Sequence, residues 1–528
     1  MTFDIIIKNG RVIDGAGNPW FRADVGIQGE KIKKVGSLHG DKANEIIDVA
    51  GLIVCPGFVD LHTHSDLSFL VNSKADSKLT QGITTEMVGN CGNSAAPVTD
   101  SGKSFFVRGY EDLGLKWDWN TVAEYMGRLD KMGISLNIAT LIGHGTVRAS
   151  VLGFEARDPT PEELGSMKSL VDAGMKEGAF GLSSGLKYAP GCYAKTDEVV
   201  ELCKVVQRYR GIYSTHIRNQ GDFLIESVDE AIEIGQRSGV PVLISHLKVK
   251  MRNNWGKAGN MLRIIDEARE AGVDVTFDQY PYLAGQTNSF AITPGWAREG
   301  GVNSFLERLK DPAQRKKIEA EIPEHEDWAG AENILIVQFS PDKSYVGKTL
   351  EEIAKLRKKT PASTMCDLLL EANGIVPVLI FHMWETDVRD IMTHHVQIVG
   401  SDGSSLAPYG ILGRGKPHPR SYGCFTRFLG RYVIKEGLMS LEDGIRRMTS
   451  LPAQIAGLAD RGLIRENMFA DLIVLDPKNV LDIATFEEPH QYSKGIEYVF
   501  VNGKMAVEKG KFTGQLAGKA LRHRSIIQ

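Results

Sequence analysis

GFVDLHTHSD, residues 57–66, places His62 and His64 two positions apart at the end of an apolar run. Side chains alternate between the two faces of a strand, so positions i and i+2 point the same way. Two imidazoles leaving one face together, at a strand's C-terminal end, are close enough to share a metal ion. Two ordinary polar residues at a strand–loop boundary would look the same, so the rest of the chain has to choose.

Working outward, apolar strand-like runs recur: FVDLH (58–62), GITTEMVGNC (82–91), NIATLIGHG (137–145), AFGLSS (179–184), IYSTH (212–216), VLISH (242–246), DVTFDQYPY (274–282), PVLIFHM (377–383) and VQIVGSD (396–402). Longer segments of helical period, such as PEELGSMKSLVDAGMKEG and SVDEAIEIGQRSG, separate them. This alternation predicts βα units and a parallel α/β sheet. The runs number one more than an eight-stranded barrel needs, and 377–383 is the expected accessory strand. Residues 284–350 are too many for an ordinary βα loop and predict an inserted subdomain.

The two ends of the chain differ in style. Residues 1–55 alternate short apolar runs with turn signals, of which Asn9-Gly10 is the strongest hairpin candidate. Residues 446–528 return to that style, with Asn502-Gly503 between two β-rich runs. The two all-β ends are expected to complete one small sandwich around a catalytic unit spanning 56–445.

The 528 residues, 42% hydrophobic and 24% charged with a net charge of −4, describe a soluble globular protein of more than one domain. No basic stretch offers a footprint for nucleic acid. No apolar run approaches the ~20 residues that span a bilayer. The opening MTFDIIIKNG has neither a charged leader nor an apolar core, so no signal peptide is expected. Cys55, Cys91, Cys192, Cys203, Cys366 and Cys424 lack disulfide-framework spacing, which suits a reducing cytoplasm.

Several runs end in metal-capable or acid–base side chains: His62 and His64 on the first, then Cys91, His216, His246 and finally Asp402. In a (β/α)8 barrel the C-terminal ends of the strands converge on one face, where the active site sits. Imidazole and thiolate donors fit zinc, and three protein ligands, Cys91, His216 and His246, leave a coordination position open. Asp402 is then free to take a proton from an activated water and deliver it to a leaving group.

GFVDLHTHSD, TQGITTEMVGNCGNSAAPV, STHIRNQGD, LISHLK, VGSDGSS and HPRSYGCFTRFLGRYV together resemble the amidohydrolase superfamily, and within it the N-acyl-D-amino-acid deacylase (D-aminoacylase) family. The tail FADLIVLDP…ATFEEPHQYSKGIEYVFVNG is similar to that family as well. The resemblance implies a (β/α)8 TIM barrel with a small β-sandwich built from both termini, and zinc-dependent hydrolysis of N-acyl-D-amino acids. It matches Cys91, His216 and His246 to a tight zinc site, His62 and His64 to a second, weaker metal position, and Asp402 to the catalytic aspartate. Ser183 and Ser184 stand at the end of the fourth run, where many superfamily members carry a bridging lysine, and Lys187 lies beyond it in the loop. That departure fits the deacylase branch.

A substrate α-carboxylate needs a cation and hydroxyl donors. Lys248 falls two residues after His246, and Tyr188 and Tyr280 match substrate-contacting positions of the family. Arg148 and Arg420 are further cationic candidates, while His144 and His418 are expected to support other residues rather than bind. Gln286 stands where relatives often carry serine. Two alternatives stay open: an amidohydrolase acting on a cyclic, dipeptide-like or amino-sugar amide, and an inactive scaffold on the same fold. The resemblance implies a small N-acylated amino acid as the partner, and the oligomeric state stays open.

Overall fold

The computed structural model describes residues 2–104 and 113–523. Its centre is a barrel of eight parallel strands: β1 (Phe58–Asp60), β2 (Ile83–Val88), β3 (Asn137–Thr140, continuing at Ile142–Gly143), β4 (Gly181–Gly185), β5 (Ile212–His216), β6 (Val242–Ile244), β7 (Val275–Gln279) and β8 (Gln397–Val399). Every residue of these strands is buried, the pattern of a parallel sheet covered on both faces. The barrel closes where Asp402 N donates to His62 O at 2.8 Å and His64 N donates to Gly403 O at 2.9 Å. The closing bonds therefore run through site residues of the first and last strands.

The surrounding helices carry strong local start and stop signals. The helix Pro161–Lys176 opens on a capping box between Thr160 and Glu163, with proline in its first turn. The helix Leu224–Ser238 stops at Gly239, whose φ of 75° is the left-handed conformation glycine tolerates best.

The run at 377–383 stays outside the barrel. Pro377–Phe381 is the central strand of a three-stranded antiparallel sheet with Ala284–Asn288 and Ile334–Ile336. The insertion therefore extends from 284 to about 381 rather than ending near 350, because its sheet is incomplete without that strand. It has its own core, which includes Ile292, Phe305, Ile353 and Leu369.

Both termini build the flanking β-sandwich. One sheet orders Lys31–Gly36, Asp24–Gln28, Thr2–Lys8 and Lys42–Asp48; the other holds seven strands, in which Ile53–Pro56 pairs antiparallel with Leu472–Leu475. Asn502-Gly503 turns a true hairpin, with Val501 opposite Lys504. Asn9-Gly10 does not: Thr2–Lys8 belongs to the first sheet and Arg11–Val12 to the second, so this turn carries the chain between sheets. Residues 446–455 pack on the barrel, where Met448 O accepts from Val59 N at 2.8 Å, and the sandwich resumes only at Leu472. Among the described residues no helix is long and apolar enough to cross a membrane.

Candidate metal centre

The strand ends bring His62, His64, Cys91, His216, His246 and Asp402 together. Cys91 Sγ lies 3.4 Å from His62 Nε2, 3.7 Å from His216 Nδ1 and 3.5 Å from His246 Nε2. A tetrahedral zinc, ~2.3 Å from sulfur and ~2.0–2.1 Å from nitrogen, would place the two donors about 3.5 Å apart. The sulfur–nitrogen separations match that spacing, and the donor atoms of Cys91, His216 and His246 all lie within 4.8 Å of one another, so these residues could hold such an ion.

Three of these residues have left-handed backbone: Cys91 at φ 52°, His246 at 38° and Asp402 at 48°. For non-glycine residues such conformations cost about 1–3 kcal/mol each and persist only where the surroundings impose them. Here the surroundings are visible. His246 N donates to Asp278 Oδ1 at 2.8 Å, and Asp402 N is tied to His62 O. A Cβ on Gly185, at the end of β4, would stand 2.2 Å from Cys91 O, so glycine is what lets the Cys91 loop sit down on the strand.

Partners behind the ligands set their proton positions. His62 is fully buried and its Nδ1 meets Asp278 Oδ2 at 3.0 Å, a carboxylate–imidazole pair that turns Nε2 toward the sulfur. His246 Nδ1 lies 3.1 Å from the side-chain amide of Gln220. The atom placed there is the amide nitrogen, Gln220 Nε2; a His246 that ligates through Nε2 carries its proton on Nδ1 and calls for the amide turned the other way, with Oε1 accepting.

Burial, then the nearby lysines, holds His216 and His246 well below the usual imidazole range, so both are neutral, the metal-binding form. Burial raises the Cys91 thiol, but His62 and His64 outweigh it and the net shift is downward. Burial also raises the Asp402 carboxyl, yet the Arg420 guanidinium, 2.8 Å away, and the neighbouring rings hold it well below the usual carboxylate range.

These groups floor a cavity of about 480 Å³ into which Lys248, Tyr188, Tyr280 and Arg420 also face. Lys248 Nζ and the Arg420 guanidinium each stand 4.7 Å from the centre of the Tyr280 ring. Tyr280 Oη is buried without a hydrogen-bond partner among the described residues. Burial lowers the Lys248 ammonium to about 7. A more open groove of about 1050 Å³ lies elsewhere, near Ile434 and Lys494, and no histidine or cysteine lines it.

Arg148 is not brought to the cavity. It is fully buried on the helix His144–Leu152, ion-paired with Glu198 and bonded to the carbonyl of Arg157. A buried guanidinium needs a local counter-ion, and Glu198, which also holds His144 Nε2 at 2.7 Å, supplies it. Lys187 is ion-paired with Asp327 and Glu326 of the insertion rather than placed at the metal centre. His418 N donates to Gln286 Oε1 at 2.7 Å, which anchors Gln286 in the cavity wall from behind.

Sequence reasoning missed Asp278, Gln220 and the insertion's Arg298, Asp327 and His382, all but Asp278 and Gln220 lining the cavity. Asp278 had a readable signal, a carboxylate inside the apolar run VTFDQ. The insertion residues had none.

Residues 45–507 match the model of an amidohydrolase family. The chain belongs to that family. It is 35% identical to a D-aminoacylase of Alcaligenes xylosoxydans xylosoxydans over 519 residues, covering 98% of this chain and 97% of the relative. An N-acyl-D-glutamate deacylase of the same organism is 37% identical over 502 residues, covering 95% and 93%. Among solved structures, the N-acyl-D-glutamate deacylase of Bordetella bronchiseptica, complexed with zinc and a phosphonate mimic of the tetrahedral intermediate, superposes with a TM-score of 0.84. It is 33% identical, with 99% of this chain and 100% of that one covered. A D-aminoacylase structure with a binuclear metal centre gives the same TM-score of 0.84 at 35% identity, covering 98% and 100%. This amidohydrolase thus shares its barrel and flanking β domain with metal-dependent deacylases over nearly its whole length.

Proposed function

We propose that the protein hydrolyses the amide bond of N-acyl-D-amino acids, releasing a D-amino acid and a carboxylic acid, with zinc as its metal. The observation that carries this reading is the triangle of Cys91, His216 and His246 set against Asp402 at the floor of one cavity. Those three residues would hold one ion tightly, and His62 and His64 would line a second, weaker position on the other side of the same sulfur. When bound, the metal supplies Lewis acidity that polarises the scissile carbonyl and makes water nucleophilic near neutral pH.

The chain's own residues do the rest. Asp402 takes a proton from the attacking water and returns it to the departing amine nitrogen. Lys248, the Tyr280 hydroxyl and Arg420 would receive the α-carboxylate, with Tyr188, edge-to-face with His216, also lining the cavity. Arg420 is engaged with Asp402 before substrate arrives. An α-carboxylate drawing part of that positive charge to itself raises the proton affinity of Asp402 when substrate is in place.

Two cavity cations, Lys248 and Arg298, have no carboxylate ion pair among the described residues, whereas Arg420 pairs with Asp402 and Lys250 with Asp327. A buried cation left alone is costly. Two of them suit a substrate with two carboxylates, so the preferred side chain is that of an acidic D-amino acid. The six free cysteines suit a reducing compartment, and we place the enzyme in the cytoplasm.

A panel of N-acetyl-D- and N-acetyl-L-amino acids, assayed for amine release with zinc restored, tests the reading. D-selective release, fastest with acidic side chains, is expected. Release from cyclic amides alone, or from none, would overturn it. Arg298→Leu should slow acidic substrates and spare neutral ones.

A further inference from the structure

Away from the cavity, three metal-capable side chains meet at the opposite end of the barrel wall. Asp266 lies on the helix Ala258–Glu270, between β6 and β7; His394 and His395 follow the helix Glu385–Thr393 and lead directly into β8. One donor atom from each lies within 4.8 Å of the others. His394 Nε2 stands 3.1 Å from Asp266 Oδ1, and the two histidine rings are 4.5 Å apart between centres.

The arrangement is held in place from behind. The His394 ring packs on Phe277 of β7 at 5.4 Å, and its side chain is only 9% exposed. Arg447 bonds the His394 carbonyl, and Arg446 Nη2 donates to His395 O at 3.3 Å. His394 Nδ1 is buried without a hydrogen-bond partner among the described residues, so the ring's polar capacity is only half used. On the other side, Asp266 and His395 face solvent, which gives an ion a way in.

We infer that Asp266, His394 and His395 form a separate binding site for a divalent transition metal of the zinc, cobalt or nickel class. Two imidazoles and one carboxylate are borderline donors that suit such ions, and three protein ligands leave a coordination position for water. The site would join the helix after β6 to the segment entering β8. It lies at the N-terminal end of that strand, where a barrel's side chains serve stability rather than chemistry. None of the three residues lines the cavity, so occupancy is independent of the hydrolytic reaction.

The test uses the full-length holoenzyme with its Cys91 centre filled, dialysed against micromolar zinc or cobalt and analysed for metal per chain. Asp266→Asn and His395→Ala, both at solvent-facing positions, should each bind one ion fewer than the parent. Both should keep its rate of amide hydrolysis, and the melting temperature should rise with added metal in the parent only. Equal metal content in the parent and both variants would overturn the inference, as would a metal-dependent rise in melting temperature that persists unchanged in both.

Discussion

Replacing Asp278 by asparagine changes one atom behind the metal centre and should disturb its ligands without unfolding the barrel. Asp278 Oδ1 accepts from His246 N at 2.8 Å and Oδ2 meets His62 Nδ1 at 3.0 Å. In Asp278→Asn the backbone N–H still demands an acceptor, so the amide oxygen stays on His246 and the NH2 faces His62. Nδ1 must then accept, which moves the ring proton to Nε2, the nitrogen 3.4 Å from Cys91 Sγ. A protonated Nε2 cannot ligate, and forcing the other tautomer sets two donors against each other. Loss of such a partner typically weakens metal binding 10–100-fold, about 1.4–2.7 kcal/mol. Asp278→Ala should cost more, since it also strands the buried His246 N–H, worth about 1–3 kcal/mol of stability. Chelator competition with elemental analysis reads the first quantity and thermal melting the second. An asparagine variant that holds both metal positions as tightly as the parent would refute the argument that Asp278 fixes the His62 tautomer.

Asp402→Asn should lower the hydrolytic rate by roughly 10²–10⁴ while metal content is kept, because proton transfer is lost and no Cys91-centre ligand is touched; steady-state rates beside metal analysis decide it. Gly185→Ala sets a methyl 2.2 Å from Cys91 O, so the Cys91 loop must lift and metal affinity should fall. Gly127→Ala, where a Cβ meets nothing within 4 Å on the helix Val122–Met132, should instead stabilise by about 0.5–1 kcal/mol; equal effects of the two on metal retention would contradict the packing argument. Lys78 is fully buried and bridges Asp60 at 3.3 Å, Glu86 at 2.8 Å and Ser401 Oγ at 2.9 Å, tying β1 and β2 to β8. Lys78→Met leaves two buried carboxylates without a cation, and a loss of about 3–5 kcal/mol should appear as a large drop in the melting temperature.

What the chain's order of residues determined by itself is local chemistry placed on a repeating frame. Strand length, all-apolar runs and helical spacers are short-range properties, so the parallel sheet and the residues at its strand ends are legible: His62, His64, Cys91, His216, His246 and Asp402 each stand at or just beyond the end of a run. The need for sulfur and nitrogen donors at such positions made the metal chemistry legible as well. Tertiary structure decided what those residues lean on and what reaches them across the fold. His62 and Asp278 are 216 positions apart, and Lys187 and Asp327 are 140 apart, so no window of sequence contains either pair. Separation along the chain also hid the recruitment of 377–381 into a sheet with 284–288 and the withdrawal of Arg148 to Glu198, 50 positions away. A charged side chain's role is set by which counter-ion it finds when buried, and that is a property of the packed molecule rather than of its neighbours along the chain.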